Sequence, residues 1–221
     1  MILIPAGDFY YGYYSPPTHQ KQTFVSAFYI DRYEVSIARY RKCVEAGECK
    51  PAFKTPHIKP TPTDDYPALL SVDYAEDFCR WAGKRLPTEM EWEKAARGTG
   101  GRTYPWGEQE PDSTRGNYCD DVCDFPWTDA TLHDGYPFAA PVGSFPSGNS
   151  PYGCADMSGN VKEWVDSPET DRDAELFIAR GASWYSDKNE ATTFYRQQWR
   201  PGVRFDDKGV RCAADVDWLE K

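Results

Sequence analysis

Residues 79–93 read Cys79-Arg80-Trp81-Ala82-Gly83-Lys84-Arg85-Leu86-Pro87-Thr88-Glu89-Met90-Glu91-Trp92-Glu93. Two helices meet in this stretch. Thr88 followed three residues later by Glu91 is a capping box, in which hydroxyl and carboxylate each take up an orphan backbone N–H. The helix it opens runs through Lys94, Ala95, Ala96 and Arg97 to Gly98, with Met90, Trp92 and Ala96 expected inside. On the other side, Ser71 or Asp73 opens a helix that Gly83 ends, and Tyr74, Phe78 and Trp81 share one face of it. Further upstream Ser36 caps a helix through about Ala46, with Ile37, Tyr40 and Val44 on one face and Gly47 as its stop.

The pattern changes after Gly98. Residues 99–160 are dense in Gly, Pro, Asn, Asp and Ser with aromatics between them, which propensity reads as loop. A loop of that length inside a compact domain needs disulfides or cation sites to hold it. Short strands return at residues 176–180 and 209–213. The start, Ile2-Leu3-Ile4-Pro5, is too short and lacks the basic residues of a signal peptide, so it reads as a first strand. No repeat or linker divides residues 1–221, which we expect to form a single domain cut from a longer precursor.

The 221 residues include 8 Trp and 15 Tyr and are 40% hydrophobic, enough for a sizeable core. No apolar run is long enough to span a bilayer, so membrane insertion is not expected. A net charge of -10 repels phosphate backbones, which argues against nucleic acid as a partner. Surplus carboxylates are usually solvated surface; the sharper reading is that some hold hard cations. Seven cysteines (Cys43, Cys49, Cys79, Cys119, Cys123, Cys154 and Cys212) include no CxxC pair, and His19, His57 and His133 are scattered. Zinc therefore fits poorly, and disulfides in an oxidising compartment fit better. The odd count leaves at least one thiol unpaired within the chain.

Four segments together resemble the formylglycine-generating enzyme (sulfatase-modifying factor) family. They are Ile4-Pro5-Ala6-Gly7 with Phe28-Tyr29-Ile30-Asp31-Arg32-Tyr33-Glu34-Val35; the 79–93 stretch with Tyr104-Pro105-Trp106-Gly107; Tyr152-Gly153 with Asp156-Met157-Ser158-Gly159-Asn160-Val161-Lys162-Glu163-Trp164; and Arg180-Gly181-Ala182-Ser183-Trp184 with Gly209-Val210-Arg211-Cys212-Ala213-Ala214-Asp215. Each alone is weak; their order and their span over nearly the whole chain make the set specific. The resemblance implies an α+β domain, an elaborated C-type lectin fold with low regular secondary structure.

The family's catalytic cysteines lie a few residues after the Arg-Gly segment, five apart, and bind copper as thiolates. Here Ser186 and Ala191 (or Thr192) stand at those places, and no cysteine lies between Cys154 and Cys212. A serine hydroxyl is a hard, weak donor for Cu(I). The aromatic usual before the Glu-Trp pair is replaced by Lys162. The resemblance thus implies a pseudoenzyme with neither copper nor iron. Its calcium positions carry over better. One site maps onto Asn117, Tyr118, Asp134 and Tyr136, and a second onto Asp156, Gly159, Val161 and Glu163, giving up to two calcium ions held by hard oxygen ligands. The bland alternative makes Asp156 a turn cap and Glu163 half of a surface ion pair. The resemblance also implies a Cys79–Cys212 disulfide. Cys43–Cys49 and Cys119–Cys123 would then be local bridges, leaving Cys154 free. Two buried small hydrophobes remain the alternative reading of Cys79 and Cys212.

Two function classes follow. In the first the chain is a binding module, extracytoplasmic, whose ligand is protein, peptide or glycan. Its recognition surface would draw on Ser183, Tyr185, Ser186, Tyr195, Arg196, Trp199, Arg200 and Arg204, since aromatics and arginines are the usual anchors; Trp184 and Phe194 are expected in the core. In the second it is an oxidoreductase or tailoring enzyme that does not generate formylglycine, with a site around Ser183, Asp187, Tyr195, Arg196 and Arg204.

Overall fold

The structure is a computed structural model that describes residues 1–12, 21–52, 62–167, 176–200 and 206–220. The three α-helices among the described residues begin where local capping chemistry puts them. The Ser36 hydroxyl accepts from Arg39 N at the head of α1 (Ile37–Glu45), and the Ser71 hydroxyl from Tyr74 N at the head of α2 (Val72–Trp81). At α3 (Glu89–Arg97) both halves of the capping box form: Glu91 N donates to Thr88 Oγ1 at 3.2 Å and Thr88 N to Glu91 Oε2 at 2.7 Å. Gly98 closes α3 with φ of 70°, a conformation that costs glycine nothing.

The described strands are short: β1 (Ile2–Ile4), β2 (Gly7–Tyr11), β3 (Lys21–Val25), β4 (Phe28–Ile30), β5 (Lys162–Val165), β6 (Phe177–Arg180), β7 (Arg196–Trp199), β8 (Lys208–Gly209) and β9 (Ala213–Asp215). They form a three-stranded sheet in the order β1-β4-β9, a β2-β3 hairpin, and a four-stranded sheet in the order β7-β6-β5-β8. All pairs are antiparallel except β5 with β8. The strand expected at 209–213 is therefore split between two sheets. Between its halves, Val210 O accepts from Val35 N and Cys212 O from Asp31 N, and these bonds carry the chain from one sheet to the other.

One core cluster lies under α1 and α2 and includes Tyr40, Phe78, Cys79, Trp164 and Cys212. A second joins β1, β2, β4 and β6 to α3 through Ile4, Phe9, Phe28, Trp92 and Ile178. Trp81 was expected on the buried face of α2 but is 38% exposed, because the last residue of that helix lies past the edge of the core. Met90 is only half-buried, whereas the charged residues of α3 are buried with its apolar ones. Lys94 shows how that is tolerated: its ammonium donates to the carbonyls of Pro5, Gly7 and Val25, satisfying all three of its donors.

Cys79–Cys212 and Cys43–Cys49 are disulfides, and Cys154 is a buried free thiol. Cys119 and Cys123, expected to pair, are not bonded. The Cys119 thiol lies 3.7 Å from Thr128 Oγ1, and the Cys123 thiol donates to Trp184 O at 3.7 Å. Between α3 and β5 the long stretch contains one 3-10 turn (Pro146–Gly148) and is otherwise irregular, as expected. Carboxylate and amide side chains hold it in place. Asp120 accepts from Val122 N and Asp134 N, and Asn160 Oδ1 from Ala140 N.

Candidate functional site

The first proposed calcium position is built around Asn117, which is fully buried. Its Nδ2 donates to Phe138 O at 2.8 Å, while its Oδ1 has no hydrogen-bond partner among the described residues. An orphaned buried acceptor is costly and calls for a donor or a cation. Asp134 comes from the same irregular stretch, its two oxygens accepting from Tyr118 N at 3.0 Å and Tyr136 N at 2.9 Å. Burial pushes the Asp134 carboxyl up to about 7 despite those two bonds, with Asp120 adding repulsion. This donor set fits a hard cation. Asn117 and Asp134 would supply side-chain oxygens, and Tyr118 and Tyr136 backbone carbonyls.

The second position is arranged differently from the expectation. Glu163 is neither at the surface nor free. Arg211 donates to both its oxygens, Nη2 to Oε1 at 2.6 Å and Nε to Oε2 at 2.7 Å, and Trp92 Nε1 adds 2.7 Å to Oε2. Asp156 stands in the left-handed region at φ 54° and accepts from Gly143 N at 2.5 Å; burial pushes it up to about 6. Glu34 completes this group. It accepts from Asn160 Nδ2 at 2.7 Å and Val161 N at 3.2 Å. Burial, then the charges of Asp156 and Glu163, hold its carboxyl well above the usual range. Of these three buried carboxylates only Glu163 is paired with the Arg211 guanidinium, while Glu34 and Asp156 feel its charge without bonding to it. Glu34 is not among the site residues expected from sequence, because nothing in Tyr33-Glu34-Val35 marks its carboxylate as buried.

Lys162 on β5 organises the third part. Its ammonium lies 2.5 Å from Ser186 Oγ, 3.3 Å from Ser183 Oγ, 3.1 Å from Glu190 Oε2 and 3.6 Å from Asp207 Oδ2. Ser183 donates to Asp207 Oδ2 at 3.0 Å, and Lys208 pairs with Asp207 at 2.6 Å. Burial works to raise Asp207, but Lys208 and Lys162 hold it below the ordinary carboxylate range. Ser183 and Ser186 are thus buried in the cluster and do not form open surface. Ala191 is in a separate apolar cluster with Tyr104, Tyr118 and Ala182.

Two cavities flank the 3-10 turn Lys188–Glu190. One, of about 360 Å³, has Lys162 and Asp207 at its base and Trp127, Tyr185, Asp187, Glu190, Gln197 and Trp199 as walls. The other, of about 570 Å³, takes Tyr195 and Arg196 together with Tyr11, Glu93 and Arg180. The expected ligand-binding set is therefore divided: Tyr185 and Trp199 face the first cavity, Tyr195 and Arg196 the second. Arg200 is exposed just past β7, and Arg204 lies outside the described residues. Residues 119–127 dock on this region, Cys119 N donating to Ser186 O at 3.0 Å and Trp127 Nε1 to Tyr185 O at 2.8 Å.

Residues 1–216 match the family model described as the sulfatase-modifying factor enzyme 1-like domain. The chain belongs to that family. Within it, the chain is 38% identical over 161 residues to the bovine (Bos taurus) inactive C-alpha-formylglycine-generating enzyme 2, covering 68% of this chain and 50% of that protein. It is 34% identical over 180 residues to the hercynine oxygenase of Mycobacterium tuberculosis, covering 72% of this chain and 39% of that one. The chain spans about half the length of the curated relatives it matches. The structure of PvdO from Pseudomonas aeruginosa has the same fold, with a TM-score of 0.74 at 23% identity over 97% of this chain and 93% of that one. The α+β architecture with little regular structure is thus that of the sulfatase-modifying factor family.

Proposed function

We propose that this sulfatase-modifying factor domain is a calcium-stabilised binding module, recognising a protein, peptide or glycan, without copper-thiolate chemistry. One observation carries the reading: the Lys162 ammonium 2.5 Å from Ser186 Oγ. The resemblance gives the Ser186 position to a thiolate that holds a soft metal. Here a hydroxyl stands there, and a tethered cation already satisfies it, balanced by Glu190 and Asp207. The same contacts argue against a serine nucleophile. Ser183 Oγ already donates to Asp207 and Ser186 Oγ is held by the Lys162 ammonium, so neither hydroxyl is free to attack.

Calcium rests on the orphaned Asn117 Oδ1 and the buried Asp134. An extracytoplasmic setting rests on the two disulfides. The similarity to hercynine oxygenase keeps a second reading, an oxidoreductase or tailoring enzyme. Metal analysis of purified protein separates the two: calcium alone supports the module, and stoichiometric iron or copper supports the enzyme. Incubation with copper, reductant and a cysteine-containing sulfatase peptide, followed by mass spectrometry, should show no formylglycine. Copper-dependent conversion would overturn the reading.

A further inference from the structure

Resting on the reading of the chain as a binding module, we propose that the cavity above Lys162 is a guanidinium-binding site. Its open side is an aromatic corner. Trp127 is stacked on Phe125 at 5.2 Å and 8° and braced edge-to-face by Tyr185 at 5.1 Å and 79°, yet it is 37% exposed, which leaves the ring face away from Phe125 for a flat cation. A planar guanidinium gains on such faces through stacking and cation–π attraction. Beneath the cavity the buried Lys208 Nζ stands 3.7 Å from the centre of the ring of Trp199, one of its wall residues, so that aromatic is already engaged by a cation.

Charge sets the sign of the ligand. The lining carboxylates are Asp187, Glu190 and Asp207 and the lining ammonium is Lys162, with the buried Lys208 paired to Asp207 from outside the cavity. Asp207 is matched by both lysines and Glu190 by Lys162. Asp187 has no cation partner among the described residues. Its Oδ1 accepts only from Asn189 N and Nδ2, as the cap of the 3-10 turn. Lys188 feels the Asp187 charge but is ion-paired with Asp129, so among the described residues one carboxylate of the wall has no ion pair of its own.

Hydrogen bonding narrows the class further. Gln197 Oε1 is buried and has no partner among the described residues. It needs a donor. A quaternary ammonium has no N–H to give it. A neutral sugar hydroxyl would satisfy Gln197 but leave Asp187 unopposed. A guanidinium offers five N–H donors in a fixed fork, enough for Asp187 and Gln197 together while its face lies on Trp127. The group could belong to a free small molecule or to an arginine side chain of a peptide, and the geometry is the same for both.

Calorimetric titration of the full chain in calcium tests this. The probes are agmatine, the peptide acetyl-Gly-Arg-Gly-amide, tetramethylammonium and a neutral disaccharide. Agmatine and the peptide should bind, with tetramethylammonium about tenfold weaker for want of donors. Asp187→Asn keeps the turn-capping oxygen and should lower agmatine affinity about tenfold. Trp127→Ala should lower it about threefold. Melting curves establish that both variants are folded. Equal affinity for agmatine and peptide assigns the site to the free group, and tighter peptide binding assigns it to a peptide; both uphold the proposal. Failure of both probes to bind folded protein, or affinity unchanged in both variants, overturns it. Preference for the disaccharide overturns the guanidinium assignment while leaving the binding-module reading intact. That reading fails separately, on formylglycine formation.

Discussion

Asp134 keeps its proton to about pH 7 because burial outweighs the two backbone N–H groups that stabilise its charge. Asp156 is displaced in the same direction, to about 6. Unfolded, both titrate near 3.8. A folded carboxyl with a raised pKa contributes stability that is complete below the unfolded pKa and lost as pH rises through the folded one. Calcium reverses this, since it binds the deprotonated form. The difference in melting temperature between calcium-loaded and chelated protein should therefore widen from pH 5 to pH 8, and Asp134→Asn should flatten it. A difference that does not change with pH, with metal removal verified, would count against the Asn117–Asp134 site. Glu163→Ala is a poor probe of calcium, because it strands Arg211 as a buried unpaired charge, at a cost of roughly 3–5 kcal/mol whatever the metal. At this scale the sequence was legible only through family likeness. Nothing local marks Glu34 as buried, and Lys162 reads as a missing aromatic until Glu190 and Asp207, far along the chain, are brought beside it.

The helices were legible from sequence alone because their signals are local. Ser36, Ser71 and Thr88 each sit within three residues of the N–H they cap. Thr88→Ala would remove the bond from Glu91 N at the head of α3 and cost about 1 kcal/mol. In a domain of this size that lowers the melting temperature by about 2–4 °C. Thr88→Ser should restore most of it, and an unchanged melt in Thr88→Ala would show that the cap is dispensable. What the helix pattern could not convey was burial on all sides of α3. Periodicity assigns Glu89, Glu93, Lys94 and Arg97 to a wet face, but β2, β3 and the β6 arginine cover that face. Arg97 pairs with Glu93 at 2.7 Å, and Arg180 bonds to Glu89 and Glu93. The strand at 209–213 misled for the related reason that an apolar run does not say which sheet it joins.

Over the whole molecule, the irregular half is held by side chains bonded to backbone and by one long-range crosslink. Cys79–Cys212 joins α2 to the segment entering β9 across 133 residues. In the chain-entropy model a bridge of that span contributes about 4–5 kcal/mol by restricting the unfolded chain. Cys79→Ser and Cys212→Ser should lower stability equally and, combined, no further. Additive losses would mean that each acts through packing alone. Family likeness supplied this pairing; closeness in sequence supplied the two local ones, and it held for Cys43–Cys49 but not for Cys119 and Cys123, which remain free thiols beside Thr128 and Trp184.

The crosslink also makes the polypeptide from 79 to 212 a closed covalent loop, and Asn117, Asp134, Asp156, Lys162, Ser186 and Asp207 all lie on it. A protease that cuts this loop once does not release a fragment. The nicked protein keeps every one of these residues on a single covalent body, migrating as one band until a reductant separates it into two. Cleavage within the loop would thus leave the metal positions and both cavities tethered together.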